Sequence, residues 1–169
     1  MKMKMNGKFI FQLACMIAVS FICGVIVFRY ISIDQAEAVI QLADRRLINM
    51  QQSIIFTILP VAFSIIIVLL FATHPYFYYA AVVFIALKTV FVGFSSMYLM
   101  DEWDATNLYI RWWFPFQFIY ILLLILLYKI CRLRFKRQRK KALRLIPFVL
   151  ILFTAIIYFE TVVISYVLK

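Results

Sequence analysis

The sequence predicts an all-α membrane protein, a polytopic bundle of five transmembrane helices with one extracytoplasmic amphipathic helix. Composition is the first observation behind this fold class. Hydrophobic residues make up 67% of the 169 residues and charged residues only 15%, whereas soluble domains are about 45–50% apolar. The second observation is that apolar runs recur, each close to the roughly 20 residues that a helix needs to cross a bilayer. We therefore expect one integral membrane domain over residues 1–169.

The apolar runs give the predicted spans, which lie near residues 9–28, 53–73, 76–100, 109–129 and 145–168. The first run follows Lys2, Lys4 and Lys8, as the core of a signal peptide would, but no small-x-small cleavage pattern comes after it. We therefore expect a retained first helix. Only His74 and Pro75 separate the second run from the third, which predicts a tight helical hairpin.

The charges predict the orientation. Residues 129–144 hold nine Lys or Arg and no acid, so the positive-inside rule places this stretch and the N-terminus in the cytoplasm and the C-terminus outside. Six of the seven acids fall on the opposite side, namely Asp34, Glu37, Asp44, Asp101, Glu102 and Asp104. Anionic lipid attracts such a basic stretch by about 1 kcal/mol per charge, so we expect a lipid partner there and no nucleic acid. Docking of an acidic cytoplasmic partner is the alternative.

An amphipathic helix is predicted on the outer side, over residues 34–50. Asp34 followed by Glu37 resembles a capping box. Apolar residues then recur at helical spacing, namely Ala36, Val39, Ile40, Ala43, Leu47 and Met50. This stripe could lie on the outer leaflet, cover the protein's own bundle, or hold a partner. We name Val39, Ile40, Ala43 and Leu47 as the predicted docking face.

Two charges lie inside predicted spans. Lys88 is near the middle of the third span, where a lone ammonium costs about 3 kcal/mol, and Glu160 is the only acid within any span. Their predicted depths differ by about 5 Å, so we expect them to pair. The pair could fix helix registry, serve a partner subunit, or relay protons, although a relay normally needs further ionisable groups along its path.

A stripe of small and polar residues is predicted to pack the hairpin. Four residues that follow one another at intervals of about one turn share one face of the second span, namely Ser53, Thr57, Pro60 and Ser64. Such residues let helices approach closely and form hydrogen bonds. Ala81, Lys88 and Ser95 stand in line on the third span and would face this stripe.

The motifs of known catalytic sites are absent from the sequence. There is no Gly-x-Ser-x-Gly, no His-Glu-x-x-His and no phosphate-binding loop, and His74 is the single histidine. A catalytic set is therefore poorly supplied, and we expect no enzymatic activity, no cofactor and no metal site. Cys15 and Cys23 are predicted to act as buried small hydrophobes.

The order of features resembles a known family. Span one ends in FICGVIVFRYIS before the outer helix, and span three reads FIALKTVFVGFSSMYLM, with Gly93 and Phe94 five and six residues after Lys88. This pattern resembles the stage II sporulation protein M family of bacterial membrane proteins. The resemblance implies a non-enzymatic scaffold in the bacterial cell membrane. The member that gives the family its name acts with peptidoglycan-cutting proteins in forespore engulfment, and other relatives look like accessory subunits of ABC-type transporters.

Two functions therefore stand open. One is a membrane scaffold or assembly protein that acts with envelope-remodelling partners through the outer helix. The other is an accessory or permease-like subunit of an ABC-type transporter, which would use surfaces within the membrane and the basic loop. In both cases the expected partners are other membrane or envelope proteins, and a homo-oligomer is compatible with either.

Overall fold

A computed structural model describes residues 7–44, 54–74, 76–102, 109–135 and 138–158. This part of the chain is helical almost throughout and contains no strand, which confirms the predicted all-α class. The helices are α1 Gly7–Tyr30, α2 Ile33–Ala43, α3 Ile54–Thr73, α4 Tyr78–Glu102, a π-helical turn Tyr109–Trp113, α5 Phe114–Phe135, α6 Arg139–Leu143 and α7 Ile146–Tyr158.

Long apolar helices fit a multi-pass membrane protein. Within the described residues, four are long and apolar enough to cross a bilayer: Phe11–Tyr30, Tyr78–Asp101, Tyr109–Arg134 and Lys140–Tyr158. The apolar segment Leu59–Thr73 of α3 is shorter. Large apolar side chains such as Phe11, which is 70% exposed, cover the outer faces of the helices. Exposed to water they would be unfavourable by about 25 cal/mol per Å², whereas lipid accommodates them.

Helices α4 and α5 form the centre of the bundle. They pack against each other, α5 also packs against α3 and α7, and α4 packs against α1 and α3. The short helix α6 lies against α5. The largest core cluster joins α3, α4, α5 and α7 and includes Val68, Ala81, Ile85, Leu123, Leu124 and Ile156. The predicted hairpin of α3 and α4 is therefore present, and α5 completes the packing of both helices.

The second helix begins and ends differently from the prediction. Ser32 precedes it with an extended backbone, and its amide N–H donates to the Gln35 Oε1 at 3.4 Å. The predicted Asp34–Glu37 box is therefore wrong, because the helix starts two residues earlier than that box requires. The helix is also not continuous over 34–50, since Asp44 is extended (φ −157°, ψ 90°) and ends it.

Two cysteines differ in exposure from the prediction. Cys15 and Cys23 are exposed, whereas Cys131 is buried. The reason lies in the face that α1 turns toward the bundle, which follows Ser20, Gly24 and Phe28 at intervals of four residues. Cys15 and Cys23 fall outside this stripe and face the surroundings of the bundle.

Candidate functional site

Helix α1 contacts α4 backbone to backbone at two glycines, Gly24 on α1 and Gly93 on α4. A Cβ placed on Gly24 would clash with the carbonyl oxygen of Val90 and lie 2.8 Å from the backbone nitrogen of Phe94. A Cβ on Gly93 would clash in the same way with the carbonyl oxygen of Phe21. Because the neighbouring atoms are backbone, no rotamer change could relieve either clash. The two backbones touch only because both positions lack a side chain.

Aromatic side chains extend this contact toward the end of α1. The Phe28 ring meets the Phe94 ring edge-on with centroids 5.4 Å apart, and lies 6.4 Å from the Tyr98 ring. Phe21 lies beside Gly93 and Phe28 beside Tyr98, so the contacts advance in the same sense along both helices. We call the contact of α1 and α4 around Gly24 and Gly93 the glycine crossing.

Sequence reasoning missed the glycine crossing, although the signal was available. Each of the two helices has a pair of small residues four positions apart, Ser20 and Gly24 on α1 and Thr89 and Gly93 on α4. This spacing is the small-xxx-small pattern by which membrane helices approach each other closely. With only three glycines in 169 residues, two of them in such patterns were informative.

Lys88 lines a small polar cavity on another face of α4. The cavity has a volume of about 20 Å³, and it is lined by Ala43, Asp44, Pro60, Val61, Lys88, Phe91, Val92, Gln117 and Tyr120. We call it the Lys88 cleft. Four helices converge there: the C-terminal end of α2, the proline turn of α3, the middle of α4 and the first half of α5. A cavity of this size has room for about one water molecule.

Two residues of opposite charge line the Lys88 cleft. Asp44, at the end of α2, is only 6% exposed, and Lys88 is half-buried. Neither charge is isolated, since each takes part in a polar or electrostatic interaction within the chain. Sequence reasoning counted Asp44 as an outer-side acid and missed its placement beside Lys88. Glu160, the predicted partner of Lys88, lies outside the described residues, so this pair stays a prediction.

Two polar side chains of α5 complete the lining of the Lys88 cleft. Gln117 and Tyr120 are 4% and 5% exposed and both line the cleft. Buried polar groups require hydrogen-bond partners or water, and a cavity for one water beside an amide, a phenol and two charges supplies that need. The cleft therefore brings four polar or charged side chains together among apolar helices, at the level where α2 ends.

The hydroxyl side chains bond within their own helices. Ser64 Oγ donates to the Pro60 carbonyl at 2.8 Å, Ser95 Oγ to that of Phe91 at 2.7 Å, Ser96 Oγ to that of Val92 at 2.6 Å, and Thr89 Oγ1 to that of Ile85 at 2.8 Å. Ser64 is buried and Pro60 partly buried, while their role as a packing face stays a prediction. The Ser53 residue and the Thr57 side chain lie outside the described part.

The predicted docking face divides in the structure. Ile40 is fully buried beside Tyr98 and Trp113, so it belongs to the interior rather than to a docking surface. Ala43 is partly buried at the Lys88 cleft, and Leu47 lies outside the described residues. Val39 remains 42% exposed, and Leu42, which the prediction omitted, is 92% exposed. Val39 and Leu42 are therefore the exposed apolar side chains on the second half of α2.

The single histidine of the chain lies apart from the Lys88 cleft. His74 is exposed in the turn before α4, with its ring 5.7 Å from the Tyr76 ring and 5.3 Å from the Phe77 ring. Within the described ranges, no group of three or more His, Cys, Asp or Glu side chains is placed to hold a metal ion.

No protein-family description, no curated protein and no solved structure matches the chain significantly.

Proposed function

We propose that this chain is a non-enzymatic membrane scaffold that assembles with envelope-remodelling proteins through α2. The observation that carries the proposal is the two-sided character of this helix. Ala36 and Ile40 fix one face to the bundle, whereas Leu42 stands 92% exposed beside Val39 on another. An exposed apolar side chain on a helix whose opposite face is buried offers a contact surface to a partner. The resemblance to the stage II sporulation protein M family supports the same role.

The scaffold would span the membrane five times, with α3 as the additional span. Its 20 residues from Ile54 to Thr73 reach about 30 Å, the thickness of a typical hydrocarbon core. Nine basic residues in 129–144 favour a cytoplasmic N-terminus. In a cysteine-free protein with Asn107→Cys or Gln138→Cys, only the first should react with a membrane-impermeant maleimide in intact cells. Reaction of the second from outside would overturn this topology.

Anionic lipid is the proposed partner of the basic stretch. Lys140 and Lys141 are exposed on α6, while Ala142 and Leu145 beside them are buried. Helix α6, which lies between the apolar helices α5 and α7 in the sequence, therefore presents the charges of these two lysines outward. Each charge near an anionic membrane surface contributes about 1 kcal/mol.

The docking role is tested by introducing a charge on α2. We expect Leu42→Asp to release the envelope partner from the purified complex, because it replaces an apolar contact with a carboxylate that would be buried without a partner. Gln41→Asp is the matched control, since it adds the same charge at the neighbouring exposed position. The measurement is affinity purification in mild detergent, with mass spectrometry of the proteins that co-elute.

Three results are informative. Loss of a cell-wall hydrolase or another envelope protein with Leu42→Asp but not with Gln41→Asp supports the scaffold. Equal co-elution in all three proteins overturns docking through α2. A wild-type protein that elutes alone from the membranes of its own host also overturns it.

The second candidate function is an accessory or permease-like subunit of an ABC-type transporter. The Lys88 cleft favours it, because charged and polar side chains converge there among membrane helices, as they do at the ion and substrate sites of transporters. An ATPase subunit that co-elutes with wild type and with Leu42→Asp alike would support this function in place of the scaffold.

A further inference from the structure

The depth to which α2 enters the bundle follows from its contacts. Its first turns lie beside Tyr98, Leu99 and the Trp112–Trp113 pair, near the end of α4. Its last residue and Asp44 share the Lys88 cleft with Lys88. Lys88 lies 14 residues before the end of α4 at Glu102, which corresponds to about 21 Å along the helix axis. The 11 residues of α2 span about 16 Å, so α2 runs inward from the end of the bundle to near its middle.

The residues of α2 change from charged to mainly apolar along its length, as expected of a helix that runs from the headgroups into hydrocarbon. Both of its acids, Asp34 and Glu37, are exposed and lie in its first five residues. In its second half Gln41 is the only polar side chain, and Val39 and Leu42 are exposed. A helix that starts among headgroups and ends in hydrocarbon needs this order, and non-spanning segments are tolerated at such depth where protein covers them.

The charges in the cleft match the end of this helix. The last carbonyl groups of α2 give its C-terminus a partial negative charge, and Asp44 adds a full one. The ammonium of Lys88 lines the same cleft. Ionisable groups at this depth are normally neutralised by a charge of opposite sign. Asp44 is thus brought to Lys88 by α2, which enters the bundle without crossing it.

We propose that Asp44 and Lys88 form an intramembrane latch that holds α2 as a re-entrant helix against α4 and α5. This inference goes beyond the scaffold function, since it concerns what holds α2 in place and not what binds to it. It also differs from the Lys88–Glu160 prediction, in which Lys88 would have its counter-charge on the last span. With the latch, removing Asp44 releases α2, whereas removing Glu160 does not.

The test measures how readily the end of α2 leaves the cleft. The full chain, freed of its native cysteines and carrying Ala43→Cys, is placed in lipid nanodiscs, where a polar maleimide reaches both faces. We expect Asp44→Asn and Lys88→Met each to raise the labelling rate of this cysteine by about tenfold, because an uncompensated buried charge favours the open state. The exchanged pair, Asp44→Lys with Lys88→Asp, should return the rate to within about threefold of the original.

Two controls make the result decisive. A cysteine from Ser32→Cys, which is exposed at the headgroup end of α2, should react at the same rate in every variant, so a general loss of folding would be detected as a change there. Glu160→Gln should leave the Ala43→Cys rate unchanged. The latch is overturned if Asp44→Asn leaves the rate at its original value, or if Glu160→Gln raises the rate as much as Lys88→Met does.

Discussion

Two regions of α4 meet their neighbours by opposite means. At the glycine crossing the backbones of α1 and α4 touch, and a single added carbon has no space. At the Lys88 cleft four helices leave a cavity of about 20 Å³ between charged and polar side chains. The residues at their centres, Lys88 and Gly93, are only five positions apart, but they point about 140° away from each other around the helix.

The difference follows from what can hold helices together in lipid. Lipid tails are as apolar as leucine, so burial of apolar surface gives membrane helices little reason to associate, and close packing or polar contacts must do so. The glycine crossing uses shape alone, which makes it rigid and intolerant of added volume. The Lys88 cleft uses charge, which acts over longer distances and leaves room for water. We therefore expect α1 to be fixed on α4, and α2 to be the part that can move.

The largest expected effect is at the glycine crossing. Gly24→Leu should lower the free energy of unfolding by about 3 kcal/mol or more, because overpacking that cannot be relieved by side-chain movement exceeds the usual range of 1–3 kcal/mol. The substituent would meet the backbone of Val90 and Phe94, so α1 must move away from α4. The measurement is reversible unfolding in mild detergent, read by tryptophan fluorescence.

Ala18→Leu is the matched control for this substitution. Ala18 lies on the exposed face of α1, so a gain in volume only one carbon smaller should change the free energy of unfolding there by less than about 0.5 kcal/mol. If Gly24→Leu were tolerated as well as Ala18→Leu, α1 and α4 would not be in backbone contact, and the contrast with the Lys88 cleft would disappear.

The sequence predicted where the long helices begin, but it did not predict which helices pack against each other. The predicted starts at residues 53, 76 and 145 lie within two residues of the starts of α3, α4 and α7, at Ile54, Tyr78 and Ile146. Hydropathy fixes these limits because a helix must remain apolar for as long as it is in lipid. It contains no information on which span lies beside which, and so the pairing of α1 with α4 was missed.

The candidate site was predicted only in part, for a related reason. Lys88 stood out because a charge in an apolar run is costly wherever the helix packs. The approach of Asp44 to Lys88 depends on α2 turning inward after Ser32, and a pattern of apolar residues at helical spacing is equally compatible with a helix on the surface. Spacing also placed Ser64, Ser95 and their neighbours on inward faces without showing that each hydroxyl would bond to its own helix.

The smallest expected effect is at Ser96, which is buried three residues beyond Gly93 on the same helix. Its hydroxyl donates to the Val92 carbonyl at 2.6 Å. Ser96→Ala removes this bond and leaves no polar group exposed to an apolar environment, because the carbonyl has its place in the helix ladder. We expect a loss of less than about 1 kcal/mol in the same unfolding measurement, since polar contacts between membrane helices average about 0.6 kcal/mol.

Thr154→Ala provides the matched control for Ser96→Ala. Thr154 is exposed on α7 and makes the same kind of bond, to the Leu150 carbonyl at 2.9 Å. If both substitutions have similar small effects, the hydroxyls beside the glycine crossing act within their helices, and shape alone holds α1 to α4. If Ser96→Ala instead costs as much as Gly24→Leu while Thr154→Ala costs nothing, Ser96 carries a polar contact across the helices. The glycine crossing would then depend on polar groups in the same way as the Lys88 cleft.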